Sequence, residues 1–183
     1  ILVLQAVAGE TCVSITNRKH LPRCLTEQCR SEHPPTAVFI TDVPLRGDRA
    51  GNVADSIEHL AGNGTAIHIF DHHYGWEAPG QRERIARSCS SFRIDTSKTT
   101  AAALVWRHWL RGDPDSRQWL RLLSEKNTSD DPWIVERFGL LVSLMQRENW
   151  SRTEETIQAL ARRADLRPEQ MELADRYYPG AVP

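Results

Sequence analysis

Two strand ends carry the residues whose types and spacing suit metal chemistry. In Ile67-His68-Ile69-Phe70-Asp71-His72-His73, an apolar run rich in β-branched and aromatic residues gives way to an acid and two imidazoles. That pattern is expected of a buried strand delivering polar side chains from its carboxyl end, where open α/β sheets bind ligands. Two adjacent histidines behind an aspartate suit a divalent cation: one neutral imidazole ligates, a nearby carboxylate fixes its tautomer, and the second imidazole faces a substrate. The plain alternative is an exposed strand end with three polar residues, since so short a motif recurs by chance.

The elements that must position these groups are read from the flanking pattern. Ala37-Val38-Phe39-Ile40-Thr41-Asp42 is a second apolar run ending in an acid, and Asp42 precedes Asp71 by 71 − 42 = 29 residues, about one strand-helix-strand unit. Between them Val53, Ile57 and Leu60 recur at helical spacing over Asp48 to Leu60, and Gly62-Asn63-Gly64 ends that run as a C-cap does. Both acids are thereby expected at one edge of a parallel sheet, converging with an imidazole on one metal cluster.

With these pieces in place, the chain resembles the DHH family of phosphoesterases. Phe39-Ile-Thr-Asp-Val-Pro-Leu45 is similar to the family's second motif and Ile69-Phe-Asp-His-His73 to its third, naming motif. Thr96-Ser-Lys-Thr-Thr-Ala-Ala-Ala-Leu-Val105 is similar to the small-residue helix start that follows it, and the resemblance spans roughly residues 10 to 135. The family's first motif, a histidine followed by two closely spaced aspartates, has no counterpart here. The chain opens on Ile1 inside an apolar segment, as a fragment would.

The resemblance implies a set of roles. Asp42 bridges two metals, His72 ligates one, and Asp131 or Asp130 closes the cluster, with Asp131 slightly preferred. The adjacent acids Asp130 and Asp131, ahead of Pro132 and Trp133, equally suit the cap of a following helix. His73 contacts the scissile phosphate or protonates the leaving oxygen, while Asp71 orients the imidazole pair. Carboxylates with imidazole suit Mn²⁺, with Mg²⁺, Co²⁺ or Fe²⁺ as weaker fits.

Composition bounds the class. Of 183 residues, 40% are hydrophobic and 26% charged, which reads as an ordinary soluble protein with room for one sizeable core. The formal net charge of −1 excludes a whole-chain basic signature for nucleic-acid coating. Cys12, Cys24, Cys29 and Cys89 form no CxxC pair and read as reduced thiols of a cytoplasmic protein. No apolar run reaches transmembrane length, and Ile1-Leu-Val-Leu4 lacks the length and basic flank of a signal peptide, so no membrane partner is expected.

The remaining elements follow in order. Thr11–Thr16 alternates as a strand does, and Leu21, Cys24, Leu25 and Cys29 mark a helix before the break at His33-Pro34-Pro35. Arg18, Lys19, His20 and Arg23 at its start suit phosphate, but a solvated helix end fits them better. Tyr74 to Gly80 reads as an active-site loop in which Trp76 either stacks on a base, covers the metal pocket, or lids the core. Ser91–Asp95 reads as a short strand, and the Thr96 or Ser97 hydroxyl as the cap of a helix over Thr100–Trp109. A helix begins at Asp115, and Ser151 with Glu154 has the form of a capping box.

The expected fold is α/β: a mostly parallel twisted sheet with helices on both faces, DHH phosphoesterase-like, followed by a helical C-terminal region. Residues 1–133 form the α/β domain, N-terminally incomplete, and 134–183 a helical extension or the start of a second module. The expected function is a metal-dependent phosphohydrolase, foremost a phosphodiesterase on short oligonucleotides or small nucleotides, using hydroxide activated by two metals. The alternatives are a RecJ-like single-strand exonuclease and a non-catalytic nucleotide- or metal-binding module of the same fold. The near-neutral charge weighs against the long positive channel that a processive exonuclease needs.

Overall fold

Three parallel strands lie side by side in the order β1-β2-β3 in a computed structural model that describes residues 2–6, 16–45, 47–97, 100–123 and 150–162. They are β1 (Ala37–Thr41), β2 (Ala66–Asp71) and β3 (Ser91–Ile94). The register pairs Ala37 with Ala66 through Thr41 with Phe70, and His68 with Ser91 through Asp71 with Ile94. The chain is α/β. It divides into two compact units, residues 16–104 and residues 1–15 with 105–183.

In the first unit each strand-to-strand connection carries a helix, as parallel pairing requires. Helix α2 (Leu21–Cys29) precedes β1; α3 (Ala50–Gly62), entered through a 3₁₀ turn at Gly47–Arg49, joins β1 to β2. Helix α4 (Arg82–Ser88) joins β2 to β3, and α5 (Ala101–Val105) follows. Alternation along the strands sends Val38, Ile40, Ile67, Ile69, Phe92 and Ile94 to one face, where α3 packs against β2 and both neighbouring helices. Val53, Ile57 and Leu60, the residues at helical spacing, are fully buried there with Ile85, and Leu25 is buried beside them. Emptying one such site, as in Ile57→Ala, costs about 2–5 kcal/mol.

The opposite face carries Phe39 and His68, cross-strand neighbours whose rings stack at 4.8 Å with planes 10° apart. Phe70 on that face is also fully buried.

Helix α4 was not anticipated. Arg82–Ser88 holds one large apolar residue, Ile85, among charges, too little for a visible period. It is tied to α3 by Arg84, whose Nε and Nη2 reach the two carboxylate oxygens of Glu58 at 3.0 and 2.6 Å, while Nη2 also meets Asp55 at 2.9 Å. The guanidinium holds the Glu58 carboxyl below its ordinary range. Burial, in turn, pushes the Cys89 thiol after α4 up to about 12.

Caps differ from expectation in detail. The hydroxyl that receives a first-turn amide of α5 is that of Thr100, from Ala103 N at 3.2 Å, whereas Ser97 donates its own hydroxyl to Asp95. Asn17, not a residue of the basic cluster, organises the entry to α2 by accepting the amides of Lys19 and His20. Arg18, Lys19, His20 and Arg23 are exposed, and Arg23 pairs with Glu27 at 2.7 Å, as a solvated helix end does.

The second unit is helical in its described residues. Helix α1 (Leu2–Ala6) contacts α6 (Pro114–Leu123), α7 (Trp150–Ala161) and a π-helical turn at Trp106–Leu110. Asp113 caps α6, accepting Ser116 N at 2.6 Å. Ser151 already lies inside α7, behind Trp150, rather than ahead of the helix as a capping box would place it. Trp119 and Leu160 are fully buried. The expected strand at 11–16 and the boundary at 133/134 fall largely or wholly outside the described residues, among which no helix is long and apolar enough to cross a membrane. Cys24, Cys29 and Cys89 are free thiols.

Candidate metal centre

The carboxyl edge of the sheet assembles four of the six residues expected at the site. Asp42 follows the last residue of β1, Asp71 ends β2, and His72 and His73 come next. Because Thr41 pairs with Phe70, the next step along both strands sets Asp42 beside Asp71. A third acid, Asp95, continues β3 at the same edge, its amide donating to Asp71 O at 3.1 Å. Asp130 and Asp131 lie outside the described residues.

Asp42, His72 and His73 each bring one ligand atom to within 4.8 Å of the others. His72 Nε2 stands 3.0 Å from Asp42 Oδ1, and the two imidazole centroids are 4.4 Å apart, tilted by 53°. The Asp42 side chain is 64% exposed and the two histidines about one third exposed, so solvent, an ion or a ligand reaches all three. One carboxylate with two imidazoles is a donor set for borderline divalent cations.

Asp71 is of another kind. Its side chain is fully buried and both oxygens are occupied: Oδ1 accepts His73 Nδ1 and the His73 amide, each at 2.7 Å, and Oδ2 accepts the Val43 amide at 2.7 Å. A carboxylate can only accept, so His73 carries its proton on Nδ1 and turns the Nε2 lone pair outward. Asp71 therefore orients His73, and its contact in the imidazole pair is with that ring.

Asp42 adopts φ +58°, the left-handed region that a non-glycine residue enters when its surroundings hold it there. Sequence reasoning missed what holds this edge together, since it runs through main-chain groups. Trp76 settles among its three readings as part of the core: it is fully buried and its indole N–H donates to Val43 O at 2.9 Å. The exposed aromatic of the loop is Tyr74, at 74%. No family model, no curated protein and no solved structure matches this chain.

Proposed function

We propose that this chain is a divalent-metal phosphohydrolase of the DHH phosphoesterase kind, acting as a phosphodiesterase on short oligonucleotides or small nucleotides. The observation that carries the reading is the convergence of Asp42, His72 and His73 within 4.8 Å at the carboxyl edge of a parallel sheet, beside an Asp71–His73 pair. The two motifs that resemble the family's second and third supply all four residues. The same reading takes the sheet as the centre of a twisted, mostly parallel layer with helices on both faces.

Asp42 and His72 would hold the ion, foremost Mn²⁺; the resemblance alone adds Asp131 or Asp130, which lie outside the described residues. Bound there, a divalent ion supplies positive charge to phosphoryl oxygens and makes water a nucleophile at neutral pH. The protein's own groups do the rest. His73, with Nδ1 tied to Asp71, presents Nε2 to the phosphoryl group or to the departing ester oxygen. Asp71 keeps that ring from rotating, because turning it would leave a buried carboxylate oxygen short of a donor.

The test is Mn²⁺ binding by calorimetry together with Mn²⁺-dependent hydrolysis of bis(4-nitrophenyl) phosphate. Saturable binding with turnover is the expected result. Binding without turnover turns the reading into that of a non-catalytic metal or nucleotide module, and absence of both overturns it.

A further inference from the structure

The residue after Asp42 is gripped at both of its main-chain polar groups by the segment that carries the two imidazoles. Val43 N–H donates to Asp71 Oδ2 at 2.7 Å, and Val43 C=O accepts the indole N–H of Trp76 at 2.9 Å. Two residues further on, Leu45 meets Gly75 so closely that a Cβ at Gly75 would stand 1.7 Å from Leu45 O and 2.7 Å from its carbonyl carbon. No side chain fits that approach.

These contacts begin where the sheet stops. The β1–β2 ladder ends at Thr41 and Phe70, and Asp42 N reaches Phe70 O only at 3.4 Å. Beyond that point the two chain segments are joined through a buried carboxylate, a buried indole and a bare glycine instead of through paired main chains. Asp42 sits at the junction with φ +58° and a carboxylate mostly in solvent. The left-handed region costs aspartate less than most residues, but an exposed side chain gives little to hold it there, which leaves that task to the clamped main chain that follows.

We propose that Trp76 and Gly75 are positioning residues of the metal centre: by clamping Val43 and Leu45 they lock Asp42 in the left-handed conformation that brings its carboxylate to His72. The donor set then stands at its working spacing before an ion arrives, and no ordering cost is subtracted from binding. The indole N–H is the part of Trp76 that does this, since the ring alone fills space but leaves Val43 O without its donor. The proposal rests on reading Asp42 and His72 as ligands of a divalent ion, with His73 beside them.

The experiment measures the Mn²⁺ dissociation constant of the 183-residue chain, of Trp76→Phe and of a chain carrying β-(3-benzothienyl)alanine at position 76, which keeps the indole shape without the N–H. Thermal melting is recorded alongside. The expected result is Mn²⁺ binding weakened by about tenfold or more in the analogue chain, the range typical of partners that orient metal ligands. Its melting temperature should fall by several degrees, because Val43 O loses a buried donor, but the chain should remain folded at the titration temperature and hydrolysis should return to the parent rate at saturating Mn²⁺. A role in folding alone would move the melting temperature and leave the affinity of the folded fraction unchanged. Should Trp76→Phe fail to fold, the analogue carries the test. Parent-like Mn²⁺ affinity in the analogue chain overturns the positioning role and leaves the metal reading intact. Failure of the parent chain to bind Mn²⁺ removes the metal reading and the positioning role with it.

Discussion

The carboxylate of Asp71 receives the main-chain amide of Val43 at 2.7 Å across 28 residues of sequence, while its other oxygen holds the ring of His73. One buried acid thus serves both halves of the site. In Asp71→Asn the amide offers one acceptor and brings donors of its own toward the donors already there. Breaking such a buried charged network should cost about 3 kcal/mol, and urea unfolding of the variant should show it. A loss well below 1 kcal/mol would contradict the hub role. The His73 ring should also lose its fixed tautomer, read from its ¹⁵N shifts.

The two histidines should separate in their effects. His72, whose Nε2 stands 3.0 Å from Asp42, is assigned to the ion, and His73, tied to Asp71, to the phosphate. His72→Ala should remove Mn²⁺ affinity together with rate. His73→Ala should lower kcat by a factor on the order of 10²–10⁴ with Mn²⁺ binding largely retained. Equal loss of metal in both variants would refute this division.

Cys89 should be a slow thiol. Burial pushes it up to about 12, so at pH 8 it holds roughly a thousandfold less thiolate than an ordinary cysteine. Peptide mapping after limited treatment with iodoacetamide should find Cys89 the least modified of Cys24, Cys29 and Cys89. Labelling of Cys89 at the pace of a free thiol would show that the segment after α4 opens readily.

The Arg84–Glu58 pair predicts a pH and salt dependence. The Glu58 carboxyl is lowered by its hydrogen bonds to Arg84, so its contribution is complete above the ordinary carboxylate range and disappears as pH falls through the lowered value. Both side chains are about one third exposed, which leaves the pair open to screening. Glu58→Gln should therefore shift the urea midpoint at pH 7, and the difference from the parent should shrink below pH 4 and in 1 M NaCl. A difference that persists unchanged at low pH would assign the effect to something other than charge.

What was legible in the sequence was whatever the sheet expresses as hydrophobic pattern. Residues 37–42 and 67–73 announce their strands because β-branched and aromatic runs end abruptly in acids, and their spacing of one crossover places those acids at one edge. Trp76 was visible as an aromatic in an active-site loop, but the partner that satisfies its buried indole N–H, Val43 O, carries no sequence signature. The close approach at Gly75 is hidden for the same reason: a glycine among turn formers looks like any other turn glycine. Helix α4 escaped notice because one buried apolar residue, Ile85, and the cross-helix contacts of Arg84 to Asp55 and Glu58 leave no period to detect.

The register offset has a kinetic consequence. Paired residues of β1 and β2 are 29 positions apart, 66 − 37 for the first pair and 70 − 41 for the last, and Asp42 and Asp71 keep the same separation. Contacts this distant in sequence form only after a loop has closed, at an entropic cost that local helices do not face. The edge that carries Asp42, His72 and His73 accordingly comes into existence in the same event that docks the first two strands. An ion added during refolding would report on that event, its capture rate tracking strand docking rather than helix formation.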